Sequence, residues 1–285
     1  VTSSPKTSWA ARARRSFGGL ALLYAGLCLY AWLYYPKALY PAPALAKPAT
    51  LPTGFRALEL ASLPTANGAP RTVRALSAPH VAGRPTVVWF HGNGELVDGL
   101  IGLGQRFADS NLGFVAMEYR GYGRSASEGK PSEAGLYADA QTLLDSLASG
   151  SHAPGEGLVL IGYSLGTGVA GEMASRGHGQ ALILISPFTS MTDMASRIAP
   201  ILPARLLVAE RFDTLAKAGK IGVPTLVLHG AEDELVPFDM GYALAQAIRG
   251  ARFVSVPNGH HADMLHADDG MVFTDIVKFV EEHVK

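Results

Sequence analysis

The sequence predicts an α/β fold: a mostly parallel, eight-stranded sheet with helices on both faces and a small cap, preceded by an N-terminal transmembrane helix. Three observations point there. From about residue 53, short β-branched or apolar runs alternate with longer stretches of helical period, the pattern of a sheet wound with crossover helices. The later runs are almost continuously hydrophobic, as strands covered on both faces are. Hydrophobic residues make up 48% of the 285 and charged residues 17%, enough for a large core and too little charge for a disordered chain. The 24 basic side chains balance the 24 acidic ones, which argues against a nucleic-acid binder. A single cysteine, Cys28, excludes an intramolecular disulfide and a Cys-cluster metal site.

Residues 1–52 read as a basic tail, a membrane anchor and a Pro-rich linker. Lys6, Arg12, Arg14 and Arg15 precede an uncharged run from Phe17 to Tyr35, ended by Pro36. The run is just long enough to cross a hydrocarbon core of about 30 Å. Tyr30, Trp32, Tyr34 and Tyr35 crowd its end, where an aromatic belt would sit. The positive charges before it, against Lys37 and Lys47 after it, place the N-terminus in the cytoplasm and the rest of the chain across the membrane. A signal peptide cut near Ala44-Leu45-Ala46 is the alternative and would leave a secreted or periplasmic protein; a buried core helix is the third reading. Lipidation of Cys28 is disfavoured by the large Leu27 before it. Pro36, Pro41, Pro43, Pro48 and Pro52 then make a stiff linker, and the folded domain, residues 53–285, is expected to start near Thr53.

The expected strands are Phe55–Leu60, Val73–Ser77, Thr86–His91, Gly113–Tyr119, Leu158–Tyr163, Ala181–Ser186, Thr225–His229 and Phe253–Val256. The expected helices are Val97–Asp109, Glu133–Ser149, Leu165–Arg176, Asp239–Ile248 and Met271–Val284, the last with Val272, Ile276, Phe279 and Val280 on one stripe.

The sharpest chemical signal is Gly162-Tyr163-Ser164-Leu165-Gly166 between an apolar strand and a helix rich in small residues. A sharp strand-to-helix turn lifts a serine hydroxyl into the open, and the flanking glycines let strand and helix approach closely. A nucleophilic Ser164 needs a base, and the base an orienting acid. Asp233 follows one later strand and leads into Leu235-Val236-Pro237, although Glu232 and Glu234 flank it. His260 follows the next strand and is read as the base in preference to the adjacent His261. The carboxyl ends of parallel strands are where such groups collect. Backbone N–H groups of Leu165, after the nucleophile, and of Asn93, in the loop His91-Gly92-Asn93-Gly94, are the expected oxyanion donors, with Gly94 second to Asn93. Gly92, Gly94, Tyr163 and Met191 are expected to border the substrate, and His91 to brace its loop.

These motifs together with Tyr119-Arg-Gly-Tyr-Gly-Arg-Ser125, Pro131-Ser-Glu-Ala-Gly-Leu-Tyr137, Ser186-Pro-Phe-Thr-Ser190 and His229-Gly-Ala-Glu-Asp233 resemble the α/β-hydrolase superfamily. The resemblance covers roughly residues 30–285. It is strongest to the membrane-anchored branch that holds fungal bud-emergence-type proteins and animal α/β-hydrolase-domain lipases and depalmitoylases. Tyr34-Tyr35-Pro36 and Tyr40-Pro41 also match that branch. It implies a Ser164, Asp233, His260 triad and a structural turn from Tyr119 to Ser125; Glu118 stands where relatives often have Asp.

The expectation is therefore a serine hydrolase of carboxylic esters or thioesters, with a small-molecule or lipid ester as substrate and no metal or organic cofactor. A peptidase or acyltransferase on the same triad is the alternative, and a non-catalytic binding scaffold a more distant one. Serine at the elbow argues against the dehalogenase and epoxide-hydrolase chemistries of this fold, which use Asp there. Gly102-x-Gly104 lacks the third glycine and the preceding strand of a dinucleotide site. The insert Pro187–Val223 allows a small cap, whose apolar residues either pack on the body or line an acyl-chain groove in which Met suits varied chains.

Overall fold

The computed structural model describes residues 9–45, 47–61, 71–79, 83–149, 157–265 and 270–284. One sheet holds β1 (Arg56–Ala61), β2 (Thr72–Ser77), β3 (Thr86–Phe90), β4 (Gly113–Glu118), β5 (Leu158–Tyr163), β6 (Ala181–Ile185), β7 (Thr225–Gly230) and β8 (Arg252–Val256). Each expected strand is present, with ends moved by a residue at most. Among the described residues the helices are α1 (Trp9–Leu39), α2 (Ile101–Asp109), α3 (Glu133–Ser149), α4 (Leu165–Ser175), α5 (Met191–Ile198), α6 (Ala204–Leu207), α7 (Phe238–Ala247) and α8 (Met271–His283). A 3-10 turn, Val97–Leu100, supplies the start of the expected second helix.

The strand order is β1-β2-β4-β3-β5-β6-β7-β8. β2 is antiparallel to both neighbours, and the strands from β4 to β8 are parallel. Period-2 alternation explains the apolar runs. Val87 and Trp89 face one core, Val88 and Phe90 the other, and all four are fully buried. α2 and α8 cover the first face; α3, α4 and α7 cover the second. From β3 the chain leaves to one side for β4 and returns on the other side as β5. Such a reversal opens a crevice at the carboxyl ends of the two strands, where ligands of α/β sheets bind. Ser164 and the loop at Asn93 lie at those ends.

Two expectations change at the N-terminus. The helix does not stop at Pro36 but runs through it to Leu39, at the loss of the hydrogen bond that proline cannot donate. The boundary near Thr53 marks a change in composition and not in packing: Leu39 and Tyr40 are buried in the core, with the Tyr40 ring edge-on to Phe212 at 6.4 Å. The core-helix reading of the apolar run is corrected too, because Phe17, Leu22 and Leu23 are 76%, 76% and 72% exposed. Lys6 and Ala46 lie outside the described residues.

Between β6 and β7, α5 and α6 form the small cap. Ser190 starts α5, its hydroxyl accepting the Asp193 N–H at 3.0 Å.

Candidate active site

The turn from β5 into α4 explains its glycines by collision. A Cβ on Gly162 would stand 2.5 Å from the Gly166 carbonyl oxygen, and one on Gly166 would overlap the Phe90 carbonyl oxygen of β3. With both absent, strand and helix close on Ser164 and force it to φ 50° and ψ −116°, a conformation costing roughly 1–3 kcal/mol in a non-glycine residue. The Ser164 N–H donates to the Ile185 carbonyl at 3.0 Å and the Thr167 N–H to the Ser164 carbonyl at 2.9 Å, which hold the turn.

Asp233 lies in the tight turn after β7. Its Oδ1 accepts the Leu235 and Val236 N–H groups at 3.0 and 2.8 Å, the geometry of an Asx turn. Burial opposes ionisation of this carboxyl. The hydrogen bonds from His261 and from the Val236 N–H outweigh burial and hold it below the ordinary carboxylate range. Beneath it, His229 is fully buried against the Val236 carbonyl, 3.0 Å from Nε2, and burial lowers its pKa.

The imidazole facing Ser164 is His261, which corrects the expectation of His260. His261 Nε2 is 2.9 Å from Ser164 Oγ, and its Nδ1 is 2.9 and 3.1 Å from the Asp233 oxygens. His260 turns outward, half exposed, between Glu232 at 3.4 Å and Glu234 at 3.5 Å. The physical reason lies in Gly259, whose carbonyl accepts the Glu232 N–H at 3.1 Å and whose backbone packs on Gly230. This pins the loop one residue before His260, and neighbouring side chains then diverge. The His260 N–H donates to Asp263 at 3.0 Å, while Tyr163 Oη donates to the His261 carbonyl and the two rings stack at 5.8 Å. Tyr163 thus stands behind His261 and not at the substrate, a second correction.

The loop after β3 divides its N–H groups. The Gly92 N–H is spent on Glu95 Oε2 at 2.6 Å, and burial keeps that carboxyl above its ordinary pKa despite this contact. Gly94 is exposed and borders no cavity with Ser164, so neither glycine lines the substrate space as expected. Among the described residues the Asn93 and Leu165 N–H groups have no protein partner, and both residues border the cavity at Ser164. His91 braces the loop: fully buried, it stacks on Tyr119 at 3.9 Å, and Tyr119 Oη donates to its carbonyl at 2.8 Å. Burial lowers its pKa to about 4, so the ring is neutral. Arg120 is committed to Asp139 in the interior, Nε to Oδ2 at 2.7 Å, and does not face the site.

Ser164 opens onto a cavity of about 540 Å³, a size ordinary for small-molecule sites. Met191 lines it as expected, with Phe188 and Met194 from the cap side. No charged side chain is among its described lining residues. Tyr30, Tyr34 and Tyr35 of α1, read from sequence as a membrane belt, border it as well. The aromatic cluster was visible in the sequence, but not the tertiary contact that brings it to the site.

The sheet, the elbow serine and the loops at its carboxyl edge define a hydrolase of the α/β class. Residues 82–215 match the family model described as serine aminopeptidase, S33. The uncharacterised protein Rv2307c of Mycobacterium tuberculosis is 30% identical over 279 residues, covering 92% of this chain and 93% of its own length. Human α/β-hydrolase domain-containing protein 17B is 35% identical over 163 residues, 56% of this chain and 54% of its own. The chain thus spans about half the length of that relative. Among solved structures, the Pyrococcus furiosus esterase Pf2001 shares the fold at a TM-score of 0.64 and 15% identity, covering 80% of this chain and 92% of its own. The chain belongs to the α/β-hydrolase superfamily.

Proposed function

We propose that the protein is a serine hydrolase of carboxylic esters or thioesters with an apolar acyl group. The observation that carries this is the Ser164, His261, Asp233 line opening onto a cavity with no charged side chain among its described lining residues. With the Nδ1–H of His261 donated to Asp233, Nε2 is the acceptor for the Ser164 hydroxyl proton. Ser164 Oγ attacks the acyl carbonyl as that proton moves to His261. Asp233 stabilises the imidazolium, and the Asn93 and Leu165 N–H groups receive the developing oxyanion. His261 then protonates the leaving group. Water, deprotonated by His261, releases the acyl group from Ser164. A peptidase on the same groups is favoured by the family model's description, but an aminopeptidase needs an anionic group for the substrate ammonium, and none is among the described residues that line the cavity.

In this reading α1 is a membrane anchor. It is long and apolar enough to cross a bilayer, and its large apolar side chains stand exposed. Leaving each in water forgoes roughly 1.5–3 kcal/mol relative to burial. The basic residues before it favour a cytoplasmic N-terminus with the catalytic domain on the other side; because the cap packs on α1 from Tyr24 onward, the cap enters the bilayer beside the helix in this topology. Burial of Leu39 and Tyr40 in the core favours retention of the helix over its removal as a signal peptide.

The test is fluorophosphonate labelling of the full chain in detergent, with turnover of p-nitrophenyl esters and aminoacyl p-nitroanilides, beside Ser164→Ala. Serine-dependent ester turnover with little anilide turnover supports the reading. Preference for anilides converts it to a peptidase, and absence of both labelling and turnover removes it.

A further inference from the structure

We propose that α1 is a specificity element of the Ser164 site: its face carrying Leu27, Ala31, Tyr34 and Ala38 is the wall along which the acyl chain of the substrate lies. This rests on the serine hydrolase reading and adds to it a role for α1 beyond tethering. The four residues are spaced 4, 3 and 4 apart, so they form one stripe, and all border the cavity that holds Ser164. Across from them stand Met194, Ile198 and Leu202 of the cap. Two alanines on the stripe are what leaves the space between helix and cap. Leu29 and Leu33, on other faces of α1, border no part of it.

α1 is also held in place, as a wall must be. Tyr24 Oη donates to the Ile201 carbonyl of the cap at 2.8 Å. Tyr35 Oη donates to the Glu210 carbonyl at 2.7 Å, and Tyr40 Oη to Glu210 Oε2 at 3.0 Å. The same carboxylate accepts the Glu133 N–H at the start of α3, which ties helix, cap and body at one residue. Tyr24 precedes Leu27 and Tyr40 follows Ala38, so the clamp brackets the stripe. The occupant is an acyl chain because the cavity is continuous with the nucleophile and its described lining has no charged group. A peptide or sugar there would bury polar groups without partners.

The experiment uses the full chain in lipid nanodiscs and the ratio of kcat/KM for p-nitrophenyl laurate to that for p-nitrophenyl butyrate. A buried methylene is worth roughly fourfold. Ala31→Trp, which fills the space, is expected to lower the ratio about 100-fold by excluding three or four methylenes. Leu33→Trp is expected to leave it unchanged, and Tyr34→Ala to move the optimum to longer chains. If Ala31→Trp loses fluorophosphonate labelling of Ser164, and is therefore misfolded, the Tyr34→Ala profile decides. A ratio that Ala31→Trp leaves within threefold of the parent, or an unmoved optimum in Tyr34→Ala, overturns the inference while ester turnover by the parent keeps the hydrolase reading. A parent that turns over neither ester and is not labelled removes both.

Discussion

Exchanging the two adjacent histidines one at a time separates a catalytic imidazole from a surface one. His261 Nε2 is 2.9 Å from Ser164 Oγ and its Nδ1 is 2.9 Å from Asp233, so His261→Ala removes the proton acceptor and isolates the acid. In enzymes built this way, loss of the base lowers kcat by roughly 10⁴- to 10⁶-fold, which is about 5–8 kcal/mol of transition-state stabilisation. His260→Ala removes contacts of 3.4 and 3.5 Å to Glu232 and Glu234, all three side chains being half exposed or more. Exposed pairs of this kind are worth about 0–1 kcal/mol, so activity is expected to stay within roughly fivefold of the parent. The assay is steady-state hydrolysis of p-nitrophenyl butyrate, with circular dichroism melts to confirm that both variants fold. A folded His261→Ala that keeps more than a tenth of parental kcat/KM, or a His260→Ala that loses a thousandfold, refutes the assignment.

Asp233→Asn keeps the shape of the turn but loses the charge that orients His261, and a fall of roughly 10⁴-fold in kcat is expected, read in the same assay. Gly166→Ala drives a methyl group into the Phe90 carbonyl of β3 and is expected to yield no folded soluble protein; a melt within a few degrees of the parent would show that the elbow can relax. Gly102→Ala, in α2 with open space around it, is expected to raise stability by about 0.5–1 kcal/mol in a urea titration. Glu118 gives a pH signature. Burial raises its carboxyl to about 7, above the roughly 4.3 of an unfolded chain. Between those values the folded protein keeps a proton that the unfolded chain has released, so stability falls as pH rises across that window. Glu118→Gln removes this slope, and its melting temperature is expected to gain on the parent's from pH 5 to pH 8; parallel curves would count against a protonated Glu118 in the fold.

The clamp at Glu210 bears on how the enzyme can be handled. Tyr40 packs on Phe212 and binds Glu210, so a chain trimmed after residue 47 loses two core side chains and a hydrogen bond along with the anchor. Reduced activity of such a truncated chain would therefore report on packing as well as on membrane attachment.

The sequence by itself determined the sheet, because near-continuous apolar runs of strand length alternate with amphipathic stretches of helical period, the pattern of strands covered on both faces by crossover helices. It determined the elbow as well. Gly162 and Gly166 are legible because a Cβ at either would meet backbone, and only glycine lets β5 and α4 close on Ser164. Asp233 was legible because it follows a strand and is followed by Leu235-Val236-Pro237, which leads into the next helix; the structure adds that its carboxylate accepts the Leu235 and Val236 N–H groups. The tertiary structure decided what depends on the direction of a loop or on a contact between distant elements. Adjacent His260 and His261 have the same chemistry and both follow β8, within a residue of each other. Which one faces Ser164 is set by the contact of Gly259 with Gly230 and by the Tyr163 hydroxyl, both from other strands. Likewise an apolar helix with a tyrosine-rich end reads as an anchor in one dimension. That α1 borders the Ser164 cavity follows from Tyr24, Tyr35 and Tyr40 reaching groups some 170 residues away, a separation across which local sequence pattern carries no information.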